Sequence, residues 1–219
     1  MKKIIAILVT ALLTTGLFAN EKNFIGFWGL GFSTPIYNQK IKGDGSRTLD
    51  NILFNINVLA INKNNGFTAK ANLGFGYATT NDITLFDNTR KHGLSTAVEL
   101  GLGYSFIREE DRVFSLLLTL DINDYHFFGD KDYICNDMKL SESNVTGNSG
   151  GIGLEGLFIK NLSGNLYFYG GLDARLIFDG NEEVQYKKED GDLTYKFSAS
   201  RDVKYGFGVT PKFGFTWKF

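Results

Sequence analysis

The sequence predicts an all-β protein, an eight-stranded antiparallel up-and-down barrel that spans a membrane. Three observations carry this reading. Eight segments of the 219-residue chain alternate apolar and polar residues with period two. The connections between them are short and long by turns. The composition, with 26 Gly, 20 Phe and 10 Tyr but only 2 Pro, is that of a turn-rich β protein.

The first twenty residues stand apart. Lys2 and Lys3 precede an apolar run from Ile4 to Leu13, and small residues follow up to Ala19. This is the pattern of a secretory signal peptide over residues 1–19, with a cut after Ala19. Leu17 sits where a small residue is preferred, so a cut after Gly16 is the alternative. The run is short for a spanning helix, which needs roughly 20 apolar residues. Residues 20–219 then form one barrel domain.

The alternating segments are about 23–33, 50–61, 67–78, 93–107, 112–123, 150–160, 165–179 and 203–219. In the third, Phe67, Ala69, Ala71, Leu73, Phe75 and Tyr77 share a face opposite Thr68, Lys70 and Asn72. In the last, Val203, Tyr205, Phe207, Val209, Pro211, Phe213, Phe215, Trp217 and Phe219 share a face. The first, FIGFWGLGFS, is ambiguous in phase because both faces are apolar or Gly. Three connections are short, at 62–66, 108–111 and 160–164; four are long and polar, at about 34–49, 79–92, 124–149 and 180–202. Pro211 lacks a ladder donor, and a β-bulge is the expected accommodation.

The polar faces decide which side meets water. They carry Gly, Ser, Thr and Asn with few charges, whereas a water-facing sheet usually carries more charge against edge association. Small residues suit a crowded barrel interior. The opposite faces carry Phe, Tyr and Trp near strand ends, as an interfacial girdle requires. Backbone groups in lipid have no water to bond, so strands must close into a ring.

The closing stretch Phe213-Gly-Phe-Thr-Trp-Lys-Phe219 resembles the last strand of bacterial outer-membrane β-barrels, which end in an aromatic residue with apolar residues at alternate positions. With the leader, the eight segments and the asymmetric connections, the chain is similar to the small OmpA/OmpX/opacity-protein kind. The resemblance implies a Gram-negative outer-membrane location, three short periplasmic turns and four long extracellular loops. It also implies a monomer embedded in outer-membrane lipid. Phe213, Phe215, Trp217 and Phe219 would be read by the outer-membrane assembly machinery.

Other chemistries find little support. The net charge of −1 offers no basic surface for nucleic acid. Cys135 with His92 and His126 cannot supply a zinc site of ordinary type, and no cofactor is expected. Cys135 is expected to be inert. Gly151-Ile-Gly-Leu-Glu-Gly156 matches the dinucleotide fingerprint in letters but lacks the strand before and helix after that it needs. Its glycines are expected to relieve crowding in the lumen. The acidic stretch 179–202 has no spaced calcium-loop signature and reads as a solvated loop. Some barrels of this size modify lipid A, which would need a nucleophile and base. His126 with Ser141, Glu142 and Ser143, or His92, are the only candidates, and rim positions explain them better.

Alternation places Lys70, Glu99, Asp121, Glu155, Asp173, Arg175 and Lys212 on inward faces. Eight strands leave room for side chains but no open channel. Charges there must pair, because isolated buried charge is very costly. Hairpin registration puts Lys70, Glu99 and Asp121 at similar heights. The reading that follows is a non-enzymatic barrel displaying loops for envelope structure or surface interaction, with an extracellular ligand or host surface as partner. The alternative is a narrow, porin-like channel for small or apolar solutes, and a lipid-modifying enzyme ranks third.

Overall fold

The computed structural model describes residues 23–219 apart from 43–44, 82–89, 129–132, 136–137, 141 and 191–192. The leader over 1–19 lies outside the described residues. The strands are β1 (Phe24–Ser33), β2 (Ile36–Ile41), β3 (Gly45–Asn62), β4 (Phe67–Asn81), β5 (Arg90–Arg108), β6 (Arg112–Phe128), β7 (Tyr133–Cys135), β8 (Met138–Leu140), β9 (Glu142–Ser163), β10 (Leu166–Asp190) and β11 (Leu193–Lys218). They run in the order β1-β11-β10-β9-β6-β5-β4-β3-β2, and pairings β1–β3 and β11–β2 close the ring. β1 and β2 both lie between β3 and β11, at different heights, so they are two parts of one interrupted strand. The ring therefore has eight positions, all antiparallel, as the alternation requires. β7 and β8 form a separate small hairpin.

Local chemistry explains the short turns. In Asn62–Gly66, the Asn62 side-chain oxygen accepts from the amides of Asn64 (2.9 Å) and Asn65 (3.2 Å). Gly66 then reverses the chain at φ +77°, a conformation that glycine adopts without penalty. Gly164 (φ +53°) does the same in the turn after Ser163. In the turn between β5 and β6, Arg112 holds Glu109 at 2.6 Å.

The outer wall is apolar. Ile52, Leu94, Leu118, Leu154, Leu172 and Leu176 all point outward and stay exposed. Aromatic pairs tie neighbouring strands on this wall, among them Trp28 stacked on Trp217 (4.7 Å between ring centres). β1 settles its phase by volume. Trp28, Leu30 and Phe32 face out, while Gly29 and Gly31 face in, where Phe215 O and Tyr169 leave no room for a side chain.

The structure moves several boundaries. Residues 36–41 and 45–49 are paired strands rather than a loop. β10 and β11 continue their ladder from Asn181–Asp202 to Asp190–Leu193. Beyond the apolar band the outward face turns polar and apolar residues lie inward, as Tyr37, Ile41, Leu49 and Val184 do, so the alternation changes phase while backbone pairing persists. Pro211 needs no bulge. β11 keeps one register past it on both sides, and the missing donor falls opposite the break at Thr34–Pro35, where Thr34 N donates to Pro211 O at 3.0 Å. The irregularity lies instead between Val203 and Tyr205. It turns Val203 inward, into the buried interior rather than the outer face.

Candidate functional site in the lumen

The interior is built in layers. Toward the short-turn end, Ile25, Phe27, Leu59, Ile61, Val113, Leu117, Leu157, Ile159, Tyr167 and Tyr169 form one apolar cluster. Toward the other end, Tyr37, Ile41, Leu49, Tyr125, Phe127, Val145, Ile177, Val184 and Val203 belong to a second. Between them lies a layer of charge.

This layer contains Lys70, Glu99, Asp121, Glu155, Asp173, Arg175 and Lys212, none more than 6% exposed. Register explains their meeting. Glu99 on β5 is directly opposite Asp121 on β6, and Glu155 on β9 is opposite Asp173 on β10. Lys70 lies one inward step from Asn72, the partner of Glu99 on β4. Across the bore, Lys70 Nζ donates to Glu155 at 2.5 and 2.7 Å and to Glu99 at 3.1 Å. Lys212 Nζ donates to Glu99 at 2.6 and 2.8 Å and lies 3.2 Å from Glu155. Arg175 bridges Glu99 (2.8 Å), Asp121, Asp173 and the Tyr37 hydroxyl (3.0 Å). Thr119 adds a hydrogen bond to Asp173 at 3.3 Å.

Small residues make the space. A Cβ at Gly151 would fall 3.1 Å from both Arg175 Cγ and Asp121 Oδ1. One at Gly153 would overlap Asp173 and Thr119. These two glycines sit within β9 and serve packing. Gly156, by contrast, faces outward with open space around its Cα, so lumen crowding does not account for it. Two cavities of about 10 Å³ each border the layer, one beside Lys70 and Tyr169, the other beside Tyr37, Asp121 and Arg175. Each has room for about one water molecule.

A second buried polar group escaped the sequence reading. Arg47 on β3 donates to Glu182 on β10 at 2.5 Å, to Gln39 on β2 at 3.2 Å, and to the Tyr125 hydroxyl. Its guanidinium also lies 5.0 Å from the Tyr125 ring centre. Arg47 and Glu182 fall in stretches read as loops. The available signal was a faint continuation of period two through Tyr37-Asn-Gln39-Lys-Ile41.

The remaining candidates are dispersed. His92 pairs with the Tyr77 hydroxyl and stacks on that ring, and His126 Nδ1 lies 2.6 Å from Thr146 Oγ1. Both occupy the outer wall. Cys135 lies in β7 opposite Met138. Ser141 is outside the described residues, and Glu142 and Ser143 open β9 opposite Lys187 and Tyr186. Much of the 179–202 stretch is paired strand. Phe213, Phe215, Trp217 and Phe219 lie on the outer wall at the closing seam, where Phe219 N donates to Gly26 O at 3.0 Å.

The ring fold is that of outer-membrane barrels of known structure. A major outer membrane protein from Thermus thermophilus aligns over 87% of this chain and 99% of its own, with 14% identity and a TM-score of 0.59. The outer membrane protein OprG from Pseudomonas aeruginosa aligns over 91% of this chain and 97% of its own, with 15% identity and a TM-score of 0.53. No family model and no curated protein matches the sequence.

Proposed function

We propose that the chain is an integral outer-membrane barrel with a plugged lumen, whose long hairpins stand outside the cell for envelope structure or surface interaction. The observation that carries this is the closed charge layer between two apolar clusters. Three cations and four carboxylates interlock across the bore, and the cavities beside them have room for only about one water each. Ion passage would require breaking several buried pairs at once, each costly in a low-dielectric interior. The outward apolar wall supports residence in lipid. The projecting β10–β11 hairpin supports display, since exposed connections on a rigid scaffold commonly carry recognition.

Single-protein conductance in planar bilayers tests the reading. Negligible conductance is expected. A steady open channel would replace the plug with a narrow pore.

A further inference from the structure

The outer wall bears one concave site that the plugged-barrel reading leaves unused. At one height, the pairing of β10 with β11 lapses between Ile177–Gly206 and Asn181–Asp202. At the same height β10 shifts register against β9, between Ile177 and Asp179, and β11 shifts against β2, between Val203 and Tyr205. Bulges on neighbouring strands indent the wall. The indentation is a groove of about 380 Å³ lined by Asn38, Lys40, Ser46, Leu176, Tyr205 and Phe207, with Gly206 at its floor.

The lining is divided. Leu176 and Phe207 are opposite one another and exposed, and exposed Phe178 and Tyr205 carry the apolar band one outward step further. Lys40 pairs across to Tyr205 on one side and Ser46 on the other, and it stands 6.0 Å over the Tyr205 ring. Outward residues beyond this row are polar, beginning with Lys204, Lys42 and Asp202. Lys42 and Asp202 pair with each other at 3.4 Å. Among the residues that line the groove, Lys40 is the charged one, and no carboxylate is with it.

We infer that this groove seats a phosphate-bearing lipid of the outer leaflet. The Lys40 ammonium takes the phosphate, Asn38 and Ser46 supply neutral hydrogen bonds, and an acyl chain lies over Leu176 and Phe207. Charge complementarity selects an anion, since an ammonium held on an aromatic face at the lipid–water boundary favours one. The apolar half fits a lipid rather than free phosphate, because Leu176 and Phe207 lie on the lipid-facing wall, where a headgroup at Lys40 carries its own acyl chain alongside them. The inference rests on the membrane reading, and its test separates the two.

The protein is first reconstituted into phosphatidylcholine vesicles, and insertion is scored by heat-modifiable migration and by protection of the barrel from protease. Native mass spectrometry then measures retention of diphosphorylated lipid A, its dephosphorylated form and phosphatidylcholine. Wild type is expected to hold one lipid A in preference to the other two. Lys40→Gln is expected to weaken this about tenfold, the loss of one charge-assisted contact. Lys40→Arg should restore it, and Lys160→Gln, at the far end of the wall, should leave it unchanged. Equal retention by Lys40→Gln, or displacement of the lipid by excess inorganic phosphate, would overturn the site while leaving the barrel reading intact. Failure to insert at all would overturn the barrel reading instead.

Discussion

Lys70 and Glu155 stand 85 positions apart in the chain and meet at 2.5 Å inside the barrel, with 4% and 0% of their side chains exposed. Lys70 also reaches Glu99, so one ammonium pairs with two carboxylates on two other strands. The pair ties β4 to β9 across the bore, which ladder hydrogen bonds cannot do.

Removing Lys70 should therefore be expensive. Lys70→Met leaves Glu155 and Glu99 short of a partner in a dry interior, and such a loss typically costs about 3–5 kcal/mol. Lys42→Met breaks only the exposed pair with Asp202 and should cost about 0–1 kcal/mol. Urea unfolding in detergent micelles checks both. Adding Glu155→Gln to Lys70→Met should recover part of the loss, because the two sites are coupled. Equal stability of Lys70→Met and Lys42→Met would show the lumen to be wet.

Gly208, inside the barrel, should not tolerate a methyl group. The Tyr37 ring lies against Gly208, and a Cβ there would overlap it. Since Tyr37 also holds Arg175, Gly208→Ala should disturb the charge layer and cost about 1–3 kcal/mol, as overpacking does. Gly156→Ala has open space and should be neutral or slightly stabilising. The same urea series decides, and a neutral Gly208→Ala would argue that the layer is loosely packed.

The seam between β1 and β11 should depend on its aromatic residues. Trp217 stacks on Trp28, and Phe213 lies 6.1 Å from Phe32. Changing Trp217 and Phe219 to Ser should abolish the heat-modifiable folded band on gels while export continues. Normal folding of the double variant would remove these residues from any role in assembly.

Orientation is testable with single cysteines in a Cys135→Ser background. Ser198→Cys, on the outer part of β11, should react with a membrane-impermeant maleimide on intact cells. Asn64→Cys, in the short turn before β4, should react only after the cells are broken. The reverse pattern would invert the barrel.

Period-two alternation, connections that are short and long by turns, and the need to satisfy backbone groups in lipid together pointed to a closed ring of eight antiparallel positions with an apolar outside. The alternation also assigned the inward side of Lys70, Glu99, Asp121, Glu155, Asp173, Arg175 and Lys212. Those inward positions follow from side-chain direction along one strand, and a single stretch of sequence carries each of them. Which charge meets which was decided only by tertiary structure. Lys70 with Glu155, and Arg47 with Glu182, join residues 85 and 135 positions apart across a bore whose width comes from ring closure. The same holds for the continuation of β10 and β11 past the apolar band, where the apolar side changes from the outer to the inner face, as Val184 and Val203 show. The accommodation of Pro211 belongs here too, since its missing donor is harmless only because the first strand breaks opposite it, at Thr34–Pro35. A strand's own residues state which face each side chain takes; only the neighbouring strands, brought together by closure, supply its partner.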